Sequence, residues 1–174
     1  MLHVGPNTPR EAFMQSRVRQ LVRELGMEPH PEGGHFAELY RSPSRVTLAD
    51  GRGERSSVTT IYFLLAAGER ARWHCVESDE LWHFYEGDPL DLHCVDPGAW
   101  EAQILRLGPQ ADGMSPVHVI RAGCWQAACT KGRYTLAGCT VAPGFEYRDY
   151  RIFQAGSAEA AELRRRFPDL VRFL

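Results

Sequence analysis

The feature that most constrains the fold is a series of about ten short, β-rich segments between His35 and Phe153. Turn-forming residues separate them, for example Asp96-Pro97-Gly98 and Pro143-Gly144. Short strands about 8–12 residues apart, with no helices between them, favour an antiparallel sandwich or barrel, because parallel strands need long crossovers. The segments read HFAELYR, SVTTIYFLL, ARWHCV, LWHFYE, LDLHCV, WEAQILRL, PVHVI, WQAACT, YTLAGCTV and EYRDYRIF.

A helix is predicted on each side of these strands. Residues 8–11, TPRE, have the pattern of a capping box, and apolar residues at helical spacing then continue to Gly26, which predicts a helix at about 8–26. A second, short helix is predicted at about 157–173, beginning near Ser157 and interrupted by Pro168. No linker or repeat divides the chain, so residues 1–174 are interpreted as one domain with a barrel at about 35–153.

Charge and composition narrow the possible partners. The formal net charge is 20 − 22 = −2, so there is no basic field for nucleic acid or anionic lipid. No apolar run approaches the ~20 residues of a membrane span, and the first residues do not resemble a secretory signal. The five cysteines form no C-x-x-C pair and lie mostly in apolar segments, which predicts a reduced, cytoplasmic protein.

Two motifs carry a resemblance to a known superfamily. Residues 68–87 can be written G-x5-H-x-V-x3-E-x6-G, which resembles the first cupin motif, G-x5-H-x-H-x3,4-E-x6-G, with Val76 in place of the second histidine. Residues 121–126, RAGCWQ, occupy the place of the second motif, P-x-G-x2-H, with Gln126 in place of its histidine.

Flanking segments extend the resemblance over about residues 10–170. HPEGGHFAELYRS at residues 30–42 and VAPGFEYRDY at residues 141–150 are similar to a particular cupin family of unknown function, Cupin_5. The resemblance implies an all-β, double-stranded β-helix (RmlC-like jelly roll) that is usually dimeric and has a pocket inside its barrel. It does not imply a reaction, because one fold hosts many chemistries.

Strand alternation predicts which side chains reach that pocket. If His74 faces the interior, Val76 does so too. In the following strand Glu80 shares a face with Trp82 and Phe84. Val76, Trp82 and Phe84 are therefore predicted to contact a small polar organic ligand.

The same alternation removes other candidates. Cys75 lies on the face opposite His74, which excludes a Cys–His nucleophile pair. His83 is placed away from the pocket, and both His83 and His93 are predicted on the sheet exterior or at a dimer contact. The face of His118 cannot be assigned.

The predicted inward polar set is His74, Glu80 and Gln126, and it allows two chemistries. A full cupin metal site offers three imidazoles and one carboxylate. The changes to Val76 and Gln126 remove two nitrogen donors, so a metal-free site is favoured. The alternative is a divalent transition metal at His74, Glu80 and Gln126, completed by water, as in a metal-dependent oxygenase or lyase.

In the metal-free interpretation His74 and Glu80 are the catalytic residues, with His74 as general base and Glu80 as its partner, while Gln126 positions the ligand. Resemblance to sugar-nucleotide epimerases of the cupin fold implies an isomerase or epimerase-like enzyme with a tyrosine as proton donor. The candidates are Tyr62, Tyr134 and Tyr147. A non-catalytic ligand-binding or sensor module is the further alternative, since a buried His–Glu pair can serve packing alone.

The segment HPEGGHF at residues 30–36 has two interpretations. Gly33-Gly34 permits a tight turn into the first strand, and this structural interpretation is favoured. In the functional alternative Glu32 or His35 closes the mouth of the pocket.

Overall fold

A computed structural model describes residues 9–174, with side chains from residue 17 onward, and contains thirteen strands and two α-helices in that range. The helices are α1 (Pro9–Glu24) and α2 (Ala158–Arg166). The strands are β1 (Glu28–Pro29), β2 (His35–Arg41), β3 (Arg45–Leu48), β4 (Gly53–Ser56), β5 (Thr59–Ala66), β6 (Ala71–Val76), β7 (Asp79–Gly87), β8 (Leu90–Asp96), β9 (Glu101–Leu107), β10 (Val117–Ile120), β11 (Trp125–Thr130), β12 (Tyr134–Ala142) and β13 (Tyr150–Ile152).

Two antiparallel sheets face each other and enclose the interior. The six-stranded sheet has the order β1-β2-β5-β12-β7-β10, and the five-stranded sheet has the order β13-β6-β11-β8-β9. Apart from the pairs β1-β2 and β8-β9, neighbouring strands in both sheets are not consecutive in sequence, as in a jelly roll. The prediction of an all-β double-stranded β-helix with flanking helices is confirmed.

Inward-facing apolar side chains of both sheets form one core. Leu65 from the six-stranded sheet packs in the same cluster as Leu90, Leu92 and Leu107 from the five-stranded sheet, and all four are fully buried. Burial of a leucine side chain contributes about 1.5–3 kcal/mol. The part of the interior next to His74 and Glu80 is not filled in this way and contains a cavity.

The helices cover the outer faces of the sheets. Leu21 of α1 packs on Leu64 and Leu136 of the six-stranded sheet, and Arg17 pairs with Glu86 at 2.6 Å. On the five-stranded sheet, α2 and a 3-10 helix at Pro168–Phe173 cover a second apolar cluster, which we call the outer cluster. It contains Trp73, Cys75, Val95, Trp125, Ala127, Phe153, Ala160, Leu163 and Phe173.

The structure differs from the sequence prediction at four places. The strand predicted in EYRDYRIF is a 3-10 helix at Tyr147–Asp149 followed by β13. The C-terminal helix ends at Arg166, and the chain continues as the 3-10 helix because Pro168 cannot extend an α-helix. The short β1 and the hairpin of β3 and β4 were not predicted. The capping residue Thr8 lies outside the described residues.

The hairpin of β3 and β4 escapes prediction because its strands lack alternation of apolar residues. The sequences RVTL and GERS are mostly exposed, but Arg55 is buried and its guanidinium donates two hydrogen bonds to Asp149, at 2.6 and 2.7 Å. A long-range ion pair therefore places this hairpin.

Among residues 9–174, no helix is long and apolar enough to cross a membrane.

Candidate functional site

A cavity of about 100 Å3 lies between the two sheets, at the end of the barrel where β6 and β7 meet the turn between β1 and β2. Its buried polar side chains are those of Glu32, Thr59, His74 and Glu80. Aromatic and aliphatic side chains form its walls, and the exposed Tyr147 and Arg41 stand at its mouth. The wall residues include Phe36, Ile61, Phe63, Val76, Trp82, Val141 and Phe145.

His74 is held by two acceptors on one ring nitrogen. A register shift in the pairing of β6 with β11 places one additional residue in β6, and Nδ1 of His74 lies 2.8 Å from the carbonyl oxygen of Arg72. The same nitrogen lies 3.1 Å from Oε2 of Glu32. Because a carbonyl oxygen can only accept, Nδ1 carries the hydrogen and Nε2 carries the lone pair. Burial lowers the pKa of His74 to about 3, so the imidazole is neutral at pH 7.

Glu32 reaches the cavity because of the turn that precedes β2. Gly33 and Gly34 have φ of 115° and 73°, and a Cβ at Gly33 would collide with the carbonyl of Arg70. The carbonyl oxygen of Glu32 accepts a hydrogen bond from the amide of Arg72, which ties the turn to β6 at 3.0 Å. The predicted turn is present, and Glu32 contacts His74 inside the cavity instead of closing its mouth, whereas His35 does not line the cavity.

The Glu32 carboxyl group is buried among groups that favour its neutral form. Burial, and then the charge of Glu80, raise its pKa well above the usual range. His30, in the same turn, accepts a hydrogen bond from the amide of Glu32 on Nδ1 and packs edge-on against Phe36 and Phe63. Burial lowers the pKa of His30 to about 4. The segment HPEGGHF therefore supplies two polar groups of the cavity, those of His30 and Glu32. Its high density of polar residues is the sequence signal that could have identified them.

Gln126 positions Glu80. Its Oε1 accepts a hydrogen bond from the indole Nε1 of Trp82 at 2.9 Å, and its Nε2 donates to Oε2 of Glu80 at 2.5 Å. Both ends of the amide are engaged, and Gln126 is fully buried and does not line the cavity. The prediction that Gln126 contacts the ligand is therefore not supported by its position. Burial raises the pKa of Glu80.

Only some of the other predicted ligand contacts line the cavity. Val76 and Trp82 line the cavity, as alternation predicted. Phe84 does not line it and packs into the barrel core instead. A register shift between β7 and β12 accommodates Tyr85 as an additional residue, and its ring lies over Gly138 on the outer face.

Only one of the three predicted tyrosines lines the cavity. Tyr147 stands at its mouth, whereas Tyr62 and Tyr134 belong to the outer face covered by α1. Sequence reasoning missed Tyr150, whose ring centre lies 5.9 Å from that of His74 and whose hydroxyl is buried with no hydrogen-bond partner among residues 9–174. Burial and the charge of Glu32 raise the pKa of Tyr150. Tyr150 was missed because one long strand was predicted over EYRDYRIF, whereas Tyr150 lies at the start of the short strand β13.

Three further histidines lie away from the cavity. His83 stacks on Tyr85 on the outer face, and Nε2 of His118 lies 3.0 Å from the carbonyl of Arg106. His93 lies on the sheet exterior as predicted, but the C-terminal segment buries it, with its ring 4.7 Å from that of Phe173.

The donor set does not match a cupin metal site. Of the four positions that the motifs assign to metal ligands, Val76 has no donor atom, and both amide atoms of Gln126 are bound to Trp82 and Glu80. Among the described residues, no three or more His, Cys, Asp or Glu side chains are grouped so as to hold a metal ion. His74 and Glu80 alone leave two of the four ligand positions without a protein donor.

Comparisons with known proteins agree with this architecture. A family described as "Cupin superfamily (DUF985)" matches residues 19–153. A hypothetical protein from Leishmania major is similar over 88% of this chain and 96% of its own, with 29% identity and a TM-score of 0.80. A Shewanella oneidensis protein is similar over 89% and 94%, with 29% identity and a TM-score of 0.75.

More distant similarity shows the fold alone. Oxalate decarboxylase from Bacillus subtilis is 12% identical over 79% of this chain and 33% of its own, with a TM-score of 0.55. No curated protein matches the sequence significantly.

Proposed function

The chain belongs to the DUF985 family of the cupin superfamily, and on that premise we propose that its barrel binds a small polar organic molecule and moves a proton on it without a metal ion. The observation that carries this proposal is the arrangement around His74. Its Nδ1 donates toward Arg72 and Glu32, so the lone pair on Nε2 is free to accept a proton inside a buried cavity.

The chemistry is an isomerase or epimerase-type transfer next to a carbonyl group. His74 takes the proton from the carbon through Nε2, and the Arg72 carbonyl oxygen and the Glu32 carboxyl oxygen, both close to Nδ1, stabilise the imidazolium that forms. Glu80, whose pKa is raised by burial and which Gln126 orients, donates a hydrogen bond in its protonated form to the carbonyl oxygen on which charge develops. Glu80 then gives its proton to this oxygen and takes the proton of the neighbouring hydroxyl group, while His74 returns its proton to the former carbonyl carbon, which gives the isomer and restores both residues. Activity is expected to fall as pH rises and Glu80 loses its proton.

Proton exchange in deuterated water tests this proposal. The protein is incubated in D2O with dihydroxyacetone, glyceraldehyde, free aldoses and 2-oxo compounds, and loss of the C–H signal next to the carbonyl is followed by proton NMR. We expect exchange above the uncatalysed rate for at least one compound. We expect a loss of at least about a hundredfold in His74→Asn, as is typical when a general base is removed, and a smaller loss in Glu32→Gln, which removes a carboxyl group beside His74.

His118→Asn is the matched control, because the ring of this histidine also donates a hydrogen bond to a backbone carbonyl, that of Arg106, but lies outside the cavity. Equal loss in His118→Asn and His74→Asn would contradict a specific role for His74. Binding of a compound without exchange under any condition would refute the enzyme and support a non-catalytic binding module.

A homodimer is part of the same proposal. The outer face of the six-stranded sheet exposes Tyr40, Tyr85, Val117 and Val119, and exposed apolar residues on one face are typical of an interface. We expect light scattering to report a dimer that Val119→Lys converts to a monomer, whereas Ile104→Lys, at an exposed site on the other sheet, leaves it intact. A monomeric parent protein would refute the dimer.

A cytoplasmic, reducing location also stays a prediction, supported by five free cysteines, four of them buried. Mass spectrometry after rapid alkylation of cells would show all five as thiols.

A further inference from the structure

The charged groups around the cavity are strongly unbalanced. Three carboxyl groups line it, those of Glu32, Glu80 and Glu38, against a single guanidinium, that of Arg41. The cavity therefore presents an excess of acidic groups to any ligand that enters it.

The guanidinium of Arg41, the single cationic group that lines the cavity, already has hydrogen-bond and ion-pair partners. The guanidinium of Arg41 lies 2.8 Å from Oε2 of Glu38 and 3.6 Å from Oε1 of Glu146, and it donates to the carbonyl of Phe145 at 3.0 Å. The charge of Arg72 also acts on Glu32, but Arg72 is exposed and its Nη2 lies 3.4 Å from the carbonyl of Pro31. Among the described residues, no other lysine or arginine lines the cavity.

The two histidines of the cavity supply no positive charge in the resting site. Nδ1 of His30 accepts a backbone hydrogen bond, which the neutral ring does and the imidazolium cannot. His74 is 3% exposed, and its Nε2 makes no hydrogen bond with any described residue. A carboxylate or phosphate entering the cavity would meet two buried carboxyl groups and no compensating cation.

The polar atoms that remain for a ligand are suited to hydroxyl and carbonyl groups. The indole N–H of Trp82 is bound to Gln126, so the groups free for a ligand include the Nε2 lone pair of His74 and the carboxyl oxygens of Glu32 and Glu80. The hydroxyl of Thr59 accepts one hydrogen bond from the amide of Phe145 and can still donate one. Two buried carboxyl groups in one apolar cavity cannot both ionise easily, and a protonated carboxyl group offers one donor and one acceptor. A cationic ligand would instead require an ionised carboxylate in this buried site.

We propose, on the basis of the proposed ligand site, that the cavity selects small uncharged hydroxy-carbonyl compounds of triose size, or the corresponding end of a larger sugar, and excludes anionic compounds. The volume of about 100 Å3 sets the size, since a water molecule takes about 30 Å3. The acidic lining sets the charge.

A panel matched in size and differing in charge tests this selectivity. Dihydroxyacetone is the neutral probe, glycerate and glyceraldehyde 3-phosphate are the anions, and 2-amino-1,3-propanediol is the cation. Each is titrated into the full-length protein at pH 7, and the indole N–H signal of Trp82 is followed by NMR. We expect dihydroxyacetone to bind at least about tenfold more tightly than the other three. Equal or tighter binding of an anion or of the amine, or no binding of any probe, would overturn the inference.

Paired substitutions test the cause. In the double variant Glu32→Gln and Glu80→Gln, the preference for dihydroxyacetone over glycerate should fall at least about tenfold. It should be unchanged in Glu77→Gln, which removes a carboxyl group paired with Arg151 outside the cavity. An unchanged preference in a folded double variant would overturn the inference, and the titrations of the parent protein decide it if that variant does not fold.

The two proposals fail separately. If neutral probes bind selectively but no deuterium exchange occurs on any compound, the enzymatic proposal fails and the selectivity holds. If exchange occurs and anions bind best, the selectivity is wrong and the proton transfer holds.

Discussion

Strand β6 separates two buried regions of opposite character. On one face, Trp73 and Cys75 enter the outer cluster under α2 and the C-terminal 3-10 helix. On the other face, His74 and Val76 line the cavity. All four side chains are buried, yet the outer cluster is close-packed and almost entirely apolar, whereas the cavity retains ionisable groups around open space.

The difference shows that burial alone does not distinguish stability from function. In the outer cluster, aromatic rings meet edge-on, as Trp73 does with Phe153 and Phe173, and the indole of Trp73 donates to the carbonyl of Leu170. In the cavity, hydrogen bonds orient the polar groups without filling the space, as Gln126 orients Glu80. We therefore expect the outer cluster to raise the free energy of unfolding and the buried polar groups of the cavity to lower it.

The largest expected effect on stability comes from the outer cluster. Phe173→Ala removes a side chain that is 1% exposed, and we expect it to lower the free energy of unfolding by about 3–5 kcal/mol in urea titrations. Leu39→Ala, at an exposed position, should change it by less than about 0.5 kcal/mol. If Phe173→Ala also abolishes binding of dihydroxyacetone at temperatures where the variant is folded, the two regions are not independent.

Removing the amide that orients Glu80 should have the next largest effect. Gln126→Leu leaves Glu80 and the indole N–H of Trp82 without partners, at a cost of about 1–3 kcal/mol for each group. Adding Trp82→Phe removes one of those unsatisfied groups and should recover part of the loss in a double-mutant cycle measured by urea unfolding. Strict additivity of the two substitutions would contradict the hydrogen-bonded network.

Replacing Glu32 should change how stability depends on pH. Its pKa is raised in the folded protein, so its neutral form stabilises the fold below about pH 4.5, and this contribution is lost as pH rises toward the folded pKa. The unfolding free energy of Glu32→Gln minus that of the parent should therefore increase from pH 4.5 to 8, by about 1.4 kcal/mol for each unit of raised pKa. Thermal unfolding across this range measures the slope.

Glu162→Gln is a control at a carboxyl group whose pKa is lowered in the folded protein instead of raised. Arg165 and Arg166 lower the pKa of Glu162 to about 2, so its contribution is present above about pH 4.5 and is lost only below that pH. The unfolding free energy of Glu162→Gln minus that of the parent should therefore stay constant between pH 4.5 and 8. A constant difference for Glu32→Gln as well would contradict the raised pKa of Glu32.

The smallest expected effect concerns His93, a buried polar residue that contacts the outer cluster. His93 is 2% exposed, neither ring nitrogen has a hydrogen-bond partner among residues 9–174, and burial lowers its pKa. Its neutral form stabilises the fold above about pH 6.5, and this contribution is lost as pH falls. His93→Leu should therefore gain about 1 kcal/mol relative to the parent between pH 7 and pH 5. A relative loss on acidification would show that His93 has a partner.

Much of the fold could be predicted from local patterns. Strand segments such as ARWHCV and WQAACT coincide with β6 and β11, because buried strands carry β-forming residues bounded by turns. Alternation placed Val76 and Trp82 at the cavity, since the side-chain period of a strand is two. It also placed Phe84 correctly on the inward face, but Phe84 lies farther along β7 and packs into the core instead of lining the cavity, because alternation specifies a face and not a position along the strand.

By itself, the sequence determined an antiparallel β-fold, its flanking helices and the inward faces of β6 and β7, because these follow from periodicity. The jelly roll was implied by the resemblance to the cupin motifs. Tertiary structure decided that Glu32 contacts His74, that Gln126 supports Glu80 and that the C-terminal segment buries His93. Each of these contacts joins segments that are distant along the chain. Alternation specifies the face of a sheet on which a side chain lies, but only the packing of distant segments decides which group meets it there.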